Sequence, residues 1–300
     1  MLTLCLTYLQ VMPEFVDLLL MFGEQSRPRR LYSTSFRERT ALPTDILRET
    51  LNLDESSCSL EISELGWSGY EIQMCYGIKS MQRSDQSEWP FSFHDCIVNH
   101  SFDLRTIRVI WIIVETKQLI RDLVRAAITN QKPKALTSFQ SGEDAFASTL
   151  ATHLLITSWG LDYFDLFISF VEAKHHQLTS RVNFPSPRGQ QLDNFHHLQE
   201  LQILSDYVNE ALLALRLNME VMVRLRELYR DVITREYFRA GLKVDKITEN
   251  YQSFQRRLKA IHSQMRFYVL NLEALAAKIE GSKTIVRYSR VCWTVCVDLV

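Results

Sequence analysis

Residues Val244–Ile279 read VDKITENYQSFQRRLKAIHSQMRFYVLNLEALAAKI. The apolar positions are Val244, Ile247, Tyr251, Phe254, Leu258, Ile261, Met265, Tyr268, Leu272, Leu275 and Ile279, spaced alternately three and four apart without exception. Such a repeat, kept this long, marks a helix packed lengthwise against another helix. At about 1.5 Å per residue it extends on the order of 55 Å. Long paired helices are mechanical or assembly devices more often than catalysts.

A partner helix precedes it. Leu201, Leu204, Val208, Ala211, Leu215, Asn218, Met222, Leu225, Tyr229 and Val232 hold the same spacing, with Asn218 the sole polar member. Either Asn218 faces inward, where a lone Asn fixes register at some cost in stability, or Met219 takes the inward place. Gly241 suits the end of this helix, so residues 192–281 form a long antiparallel helical hairpin. Pro185, Pro187 and Gly189 make 183–191 the clearest linker in the sequence.

Upstream, 136–182 reads as packing helices. Ser141 or Gly142 begins one, lined by Phe146, Leu150 and Leu154, and Trp159-Gly160 punctuates it. Leu161, Phe164, Ile168, Val171, His175, Leu178 and Val182 line the next. Residues 1–135 form an α/β region. Pro13-Glu14 opens a core helix with Phe15, Leu18, Leu19 and Phe22 inward. The Arg/Ser-rich stretch Glu24–Leu42 reads as loop, its Arg27, Arg29, Arg30, Arg37 and Arg39 solvated, and Pro43–Leu53 as a short helix with Thr44 at its cap.

The period then changes to two. Ile72, Met74, Tyr76 and Ile78 alternate with Glu71, Gln73, Cys75 and Lys79, which predicts a strand with the second set outward. A second strand carries Phe93, Cys96, Val98, His100 and Phe102, and Val109–Val114 is a nearly continuous apolar strand of the buried kind. Short connections make the three an antiparallel meander, and a helix follows over Lys117–Asn130. The fold class is α+β: a small, mostly antiparallel sheet with flanking helices, then the helical hairpin, predominantly α overall.

Chemistry is sparse. With 34 basic and 35 acidic residues the net charge is −1, so no global field draws the chain to nucleic acid or anionic lipid. Aromatic residues lie on seams and strands, not within a basic stripe, which also argues against nucleic acid. The six cysteines, Cys5, Cys58, Cys75, Cys96, Cys292 and Cys296, form no Cys-x-x-Cys pair and fit a reducing compartment. The N-terminus lacks a basic n-region and a small-x-small cleavage site, so no signal peptide is expected. No run reaches the roughly 18 uninterrupted apolar residues of a membrane span, and the chain as given reads as soluble.

His175-His176 and His196-His197 are adjacent pairs that point to different helix faces, and His-x-x-x-His is absent. His153 and His175 fall on apolar faces and read as satisfied core histidines. No phosphate-cradling glycine motif and no Gly-x-Ser-x-Gly occurs. No catalytic residue is expected, and no metal ligand can be nominated. Glu210, Glu220, Glu227 and Asp231 line outer helix faces beside Arg224, Arg226 and Arg230 and read as a solvated charged surface. Were copies to assemble side by side, such carboxylates could share a hard cation such as Mg²⁺ at the subunit interfaces.

Several segments resemble the fungal branch of the CorA-like divalent-metal transporters: Gly69–Lys79, His100-Ser-Phe-Asp103, Trp111-Ile-Ile-Val114, Phe146–Leu155 and Asn209–Leu213. The similarity runs from about Val11 to about Ile285. It implies the cytoplasmic sensing or gating portion of a membrane Mg²⁺ transporter, with a stalk helix leading to two membrane spans in a homopentamer. The family's Gly-Met-Asn and its spans have no counterpart here, which implies a portion truncated before the pore, with an atypical tail over 282–300. The other class of reading is a soluble helical interaction or scaffold protein that keeps the fold without transport. An enzyme is the most distant.

Overall fold

The computed structural model describes residues 6–9, 11–22, 36–41, 71–84, 89–103, 106–115, 119–129, 139–183, 190–235, 238 and 242–297. The expected helix at Pro43–Leu53, the Gly241 stop, the core of the 183–191 linker, Arg27, Arg29, Arg30, Cys5 and Cys58 lie outside them.

Four strands form one antiparallel sheet in the order β1 (Arg37–Ala41), β2 (Glu71–Arg83), β3 (Phe91–Asp103), β4 (Val109–Glu115). Among the described residues six helices accompany it: α1 (Pro13–Phe22), α2 (Leu119–Thr129), α3 (Gly142–Trp159), α4 (Phe164–Asn183), α5 (Gln190–Thr234) and α6 (Val244–Val297). The α+β class with a strongly helical C-terminal part is therefore what the chain adopts.

The long helices are unbroken, 45 residues for α5 and 54 for α6. Every expected seam residue of α5 is buried, as is every one of α6 except half-buried Val244 and Ile261. Helix α6 continues through the stretch read as an atypical tail, and its buried face extends to Lys283 and Val286.

The chain divides into two compact units. The first comprises residues 1–80, 93–160 and 217–262, the second residues 81–92, 161–216 and 263–300. Both long helices contribute to each.

In the first unit the sheet is covered on both faces, which corrects one expectation. Glu71, Gln73, Cys75 and Lys79, read as outward, are all buried. At Cys75 the cover is α1, whose Met12, Phe15 and Leu18 form a core cluster with Cys75 and Ile97, supported by Leu19, Ile112 and Val114. Alternation finds the two faces of a strand but cannot tell whether the second one has a cover.

Two further corrections concern the sheet edges. Strand β1 lies within the stretch read as loop, pairing Arg37 with Cys75 and Ala41 with Glu71. Its Arg-Glu-Arg-Thr-Ala sequence has no apolar alternation because an edge strand is held by backbone bonds and points charges at water, which also guards it against stray pairing. Strand β4, expected to be fully buried, is half-buried along its whole length because it forms the opposite edge.

Helix α3 starts where expected. The Ser141 hydroxyl accepts the Asp144 N–H at 3.2 Å, a proper N-cap. It ends at Gly160, where a Cβ would stand 2.9 Å from Ile78 Cγ2 and 3.0 Å from Asn218 Nδ2. Glycine lets helix end, strand and Asn218 meet at this point.

In the second unit the tip of the β2–β3 hairpin supplies an aromatic anchor. Trp89 stacks on Tyr207 of α5 at 4.4 Å and meets Phe170 of α4 edge-on at 5.8 Å. Phe91 packs against Phe167 and Phe170.

Candidate functional site

Two features carry chemistry or surface beyond ordinary packing. The first is buried in the first unit, where β2, β3, β4, α3 and α5 bring Tyr76, His100, Trp111, His153 and Tyr229 together. The Tyr76 hydroxyl lies 2.7 Å from His153 Nδ1, and the Tyr229 hydroxyl 2.8 Å from Nε2. A neutral imidazole has one N–H and one bare nitrogen, so His153 donates to one tyrosine and accepts from the other. Burial holds His153 well below the ordinary histidine range, helped by His100, and lifts both tyrosines well above theirs. Every member of this relay is thereby kept neutral. His153 is the satisfied core histidine that its place on an apolar face predicts.

His100 differs. It is fully buried with its ring 4.0 Å from that of Trp111 and 5.1 Å from that of His153, and among the described residues neither ring nitrogen has a hydrogen-bond partner. Burial lowers it to about 3. All four polar rings, Tyr76, His100, His153 and Tyr229, are buried, and the cluster ties three strands to two helices.

Two buried polar contacts were not legible in the sequence. Asn218 accepts the Lys79 N–H at 3.0 Å and donates to the Lys79 carbonyl at 2.7 Å. Of the two readings of the α5 seam, Asn218 is therefore the inward residue. Its partner is a strand backbone instead of a second helix. The Lys79 ammonium meets Asp95 at 2.9 Å. Both contacts join segments far apart in sequence, and no local pattern signals them.

The second feature is a surface in the second unit. Phe267, Leu270, Ile285 and Tyr288 of α6 are 59%, 56%, 58% and 69% exposed. Exposed Ala274, Ala277 and Gly281 fall between them at the same three-and-four spacing. This stripe is offset by two residues, roughly 200° around the helix, from the buried Met265–Ile279 seam. One helix thus carries an apolar stripe on each of two opposite faces, and only one of them is covered by the described residues.

Three of the four carboxylates considered as a shared cation surface are engaged on their own helix. Glu220 and Glu227 flank Arg224 at 3.2 and 3.6 Å, and Asp231 meets Arg230 at 3.3 Å. Glu38 of β1 faces Arg224, Glu227, Asp231 and Arg235, and burial raises it above the ordinary glutamate range. His175 Nε2 lies 3.0 Å from the Ser282 hydroxyl, and His196 is exposed. Among the described residues no three His, Cys, Asp or Glu side chains are grouped to hold a metal ion. One described helical stretch, Gly142–Ser180, has the length and composition to cross a membrane, with half of its most apolar window buried. It includes the core residues Phe146, Leu150 and His153.

A four-stranded antiparallel sheet with flanking helices, followed by two very long helices, defines an α+β, mostly helical protein. The family model of CorA-like transporters matches residues 1–183, the sheet and the helices up to the end of α4. The chain belongs to the CorA-like transporters. A search of curated proteins finds no match to it.

Proposed function

We propose that this chain is the cytoplasmic sensing or gating portion of a CorA-like transporter of Mg²⁺ or a related divalent cation, working as a homo-oligomer whose pore is supplied by segments outside these residues. The observation that carries the reading is α6: an unbroken 54-residue helix, apolar on two opposite faces, with one face left bare. Burying the Phe267–Tyr288 stripe against other copies would remove four large exposed apolar side chains from water. Such a helix transmits a displacement at one end to the other, as gating demands. In this reading the cation is cargo, and membrane association comes through the pore segments.

Sedimentation of the purified chain with and without Mg²⁺ tests it. Self-association that depends on the α6 stripe and shifts with the ion supports the proposal. A strict monomer indifferent to Mg²⁺ overturns it.

One observation favours the scaffold reading instead. Three of the α5 carboxylates that would meet a shared cation, Glu220, Glu227 and Asp231, are already matched by Arg224 and Arg230. Self-association through α6 that ignores divalent ions is the outcome that reading expects.

A further inference from the structure

We propose that the Glu71–Asp103 carboxyl pair is a proton-responsive latch at one end of the sheet, closed while the pair holds a proton and loosened when that proton leaves to solvent. This goes beyond the functional reading above and does not depend on it. Strand β2 begins at Glu71 and its antiparallel neighbour β3 ends at Asp103, so both acids reach the same end of the sheet. Both are buried, at 5% and 1% exposure. Glu71 Oε2 accepts from the Gln73 side-chain amide at 3.0 Å, whereas Oε1, also shut from water, has no hydrogen-bond partner among the described residues.

A bare buried carboxylate oxygen is costly when charged, and protonation both removes the charge and supplies a donor. Among the described residues, the charged groups acting on Glu71 are Asp103 from β3, Arg108 from the lead into β4, and Arg39 from β1. Burial is the largest influence and the like charge of Asp103 the next. Together they outweigh the Gln73 hydrogen bond and the two arginines, and push Glu71 up to about 7. The proton is therefore exchanged near neutrality.

What the charge acts on makes the pair a latch. The Asp103 N–H donates to the Arg108 carbonyl at 2.9 Å, and the Thr106 N–H donates to Asp103 Oδ1 at 2.9 Å. Between them Ile107 sits at a φ of 59°, the left-handed region that a β-branched residue avoids. Strand β1 ends on the same spot, with Ala41 opposite Glu71. A second negative charge here pushes on a turn under backbone strain and on the end of an edge strand.

The test uses the full chain. Carboxyl NMR of ¹³C-labelled glutamate, with E71Q as the assignment control, should place the Glu71 titration near neutral pH. Hydrogen exchange at Asp103 and Thr106, corrected for intrinsic rate, should speed up roughly tenfold between about pH 5.5 and about pH 8.5. E71Q should hold the slow rate throughout, and D103N should bring the Glu71 titration down. Should E71Q fail to fold, the wild-type and D103N exchange profiles decide. A Glu71 titration in the ordinary glutamate range, or an exchange rise identical in wild type and E71Q, overturns the proposal.

Discussion

Asn218 satisfies both the N–H and the C=O of Lys79, closing a two-bond clamp between α5 and the middle of β2. A strand interior normally spends those groups on its neighbours. Here a side-chain amide takes them, and it is the only polar member of an otherwise apolar helix seam.

Removing the amide strands two buried backbone groups. N218A or N218L should therefore cost about 2–4 kcal/mol, because each buried group left unmade costs about 1–3 kcal/mol. N218D keeps the acceptor, loses the donor and buries a charge, so it should be no better. Urea denaturation at neutral pH, with unchanged slope, measures the loss.

His100 should make the protein acid-sensitive. Its folded pKa of about 3 lies below the ordinary 6.5, so its contribution is complete above about pH 6.5 and is lost as pH falls toward 3. That is on the order of 5 kcal/mol across the window. H100F keeps a ring against Trp111 and removes two unpartnered nitrogens. It should flatten the acid limb of a stability–pH curve at little or no cost near neutral pH, and an unchanged acid limb would refute the assignment. Glu71 tilts the curve the other way, losing stability as pH rises from 4.5 toward 7.

The contact at Gly160 leaves no room for a methyl group. G160A should lower stability by about 1–3 kcal/mol through overpacking against Ile78 and Asn218, although alanine is the better helix former. A thermal melt that rises in G160A would show the space to be present after all.

The α6 stripe separates assembly from folding. F267E with L270E should leave the melting temperature within a few degrees of wild type, since both side chains are more than half exposed. The same pair should abolish self-association in sedimentation. A collapse of the fold instead would mean that the stripe is covered within one chain.

The long helices were legible because their signal is local and repeated: eleven positions in one seam agree with one another. Strands β2, β3 and β4 were legible from their period of two. Strand β1 was not, because a polar edge strand has no apolar period to detect. The burial of Cys75 was hidden for another reason: it depends on α1, an element some sixty residues away whose docking leaves no mark on β2 itself. His153 was readable as a core histidine from its helix face, but Tyr76 and Tyr229 lie 77 and 76 residues away on other elements. The Glu71–Asp103 pair requires knowing that a strand start and a strand end coincide. The bare stripe of α6 was present in the spacing and was masked by the longer seam beside it.

The Asn218–Lys79 clamp spans 139 positions of sequence. During synthesis the first three strands leave the ribosome well before the residue that closes their inner side, and the Tyr229 end of the histidine relay comes later still. Contacts of such long range slow productive folding. The nascent sheet must wait with its apolar interior uncovered, which makes this stretch of translation the moment when chaperones matter most to the protein.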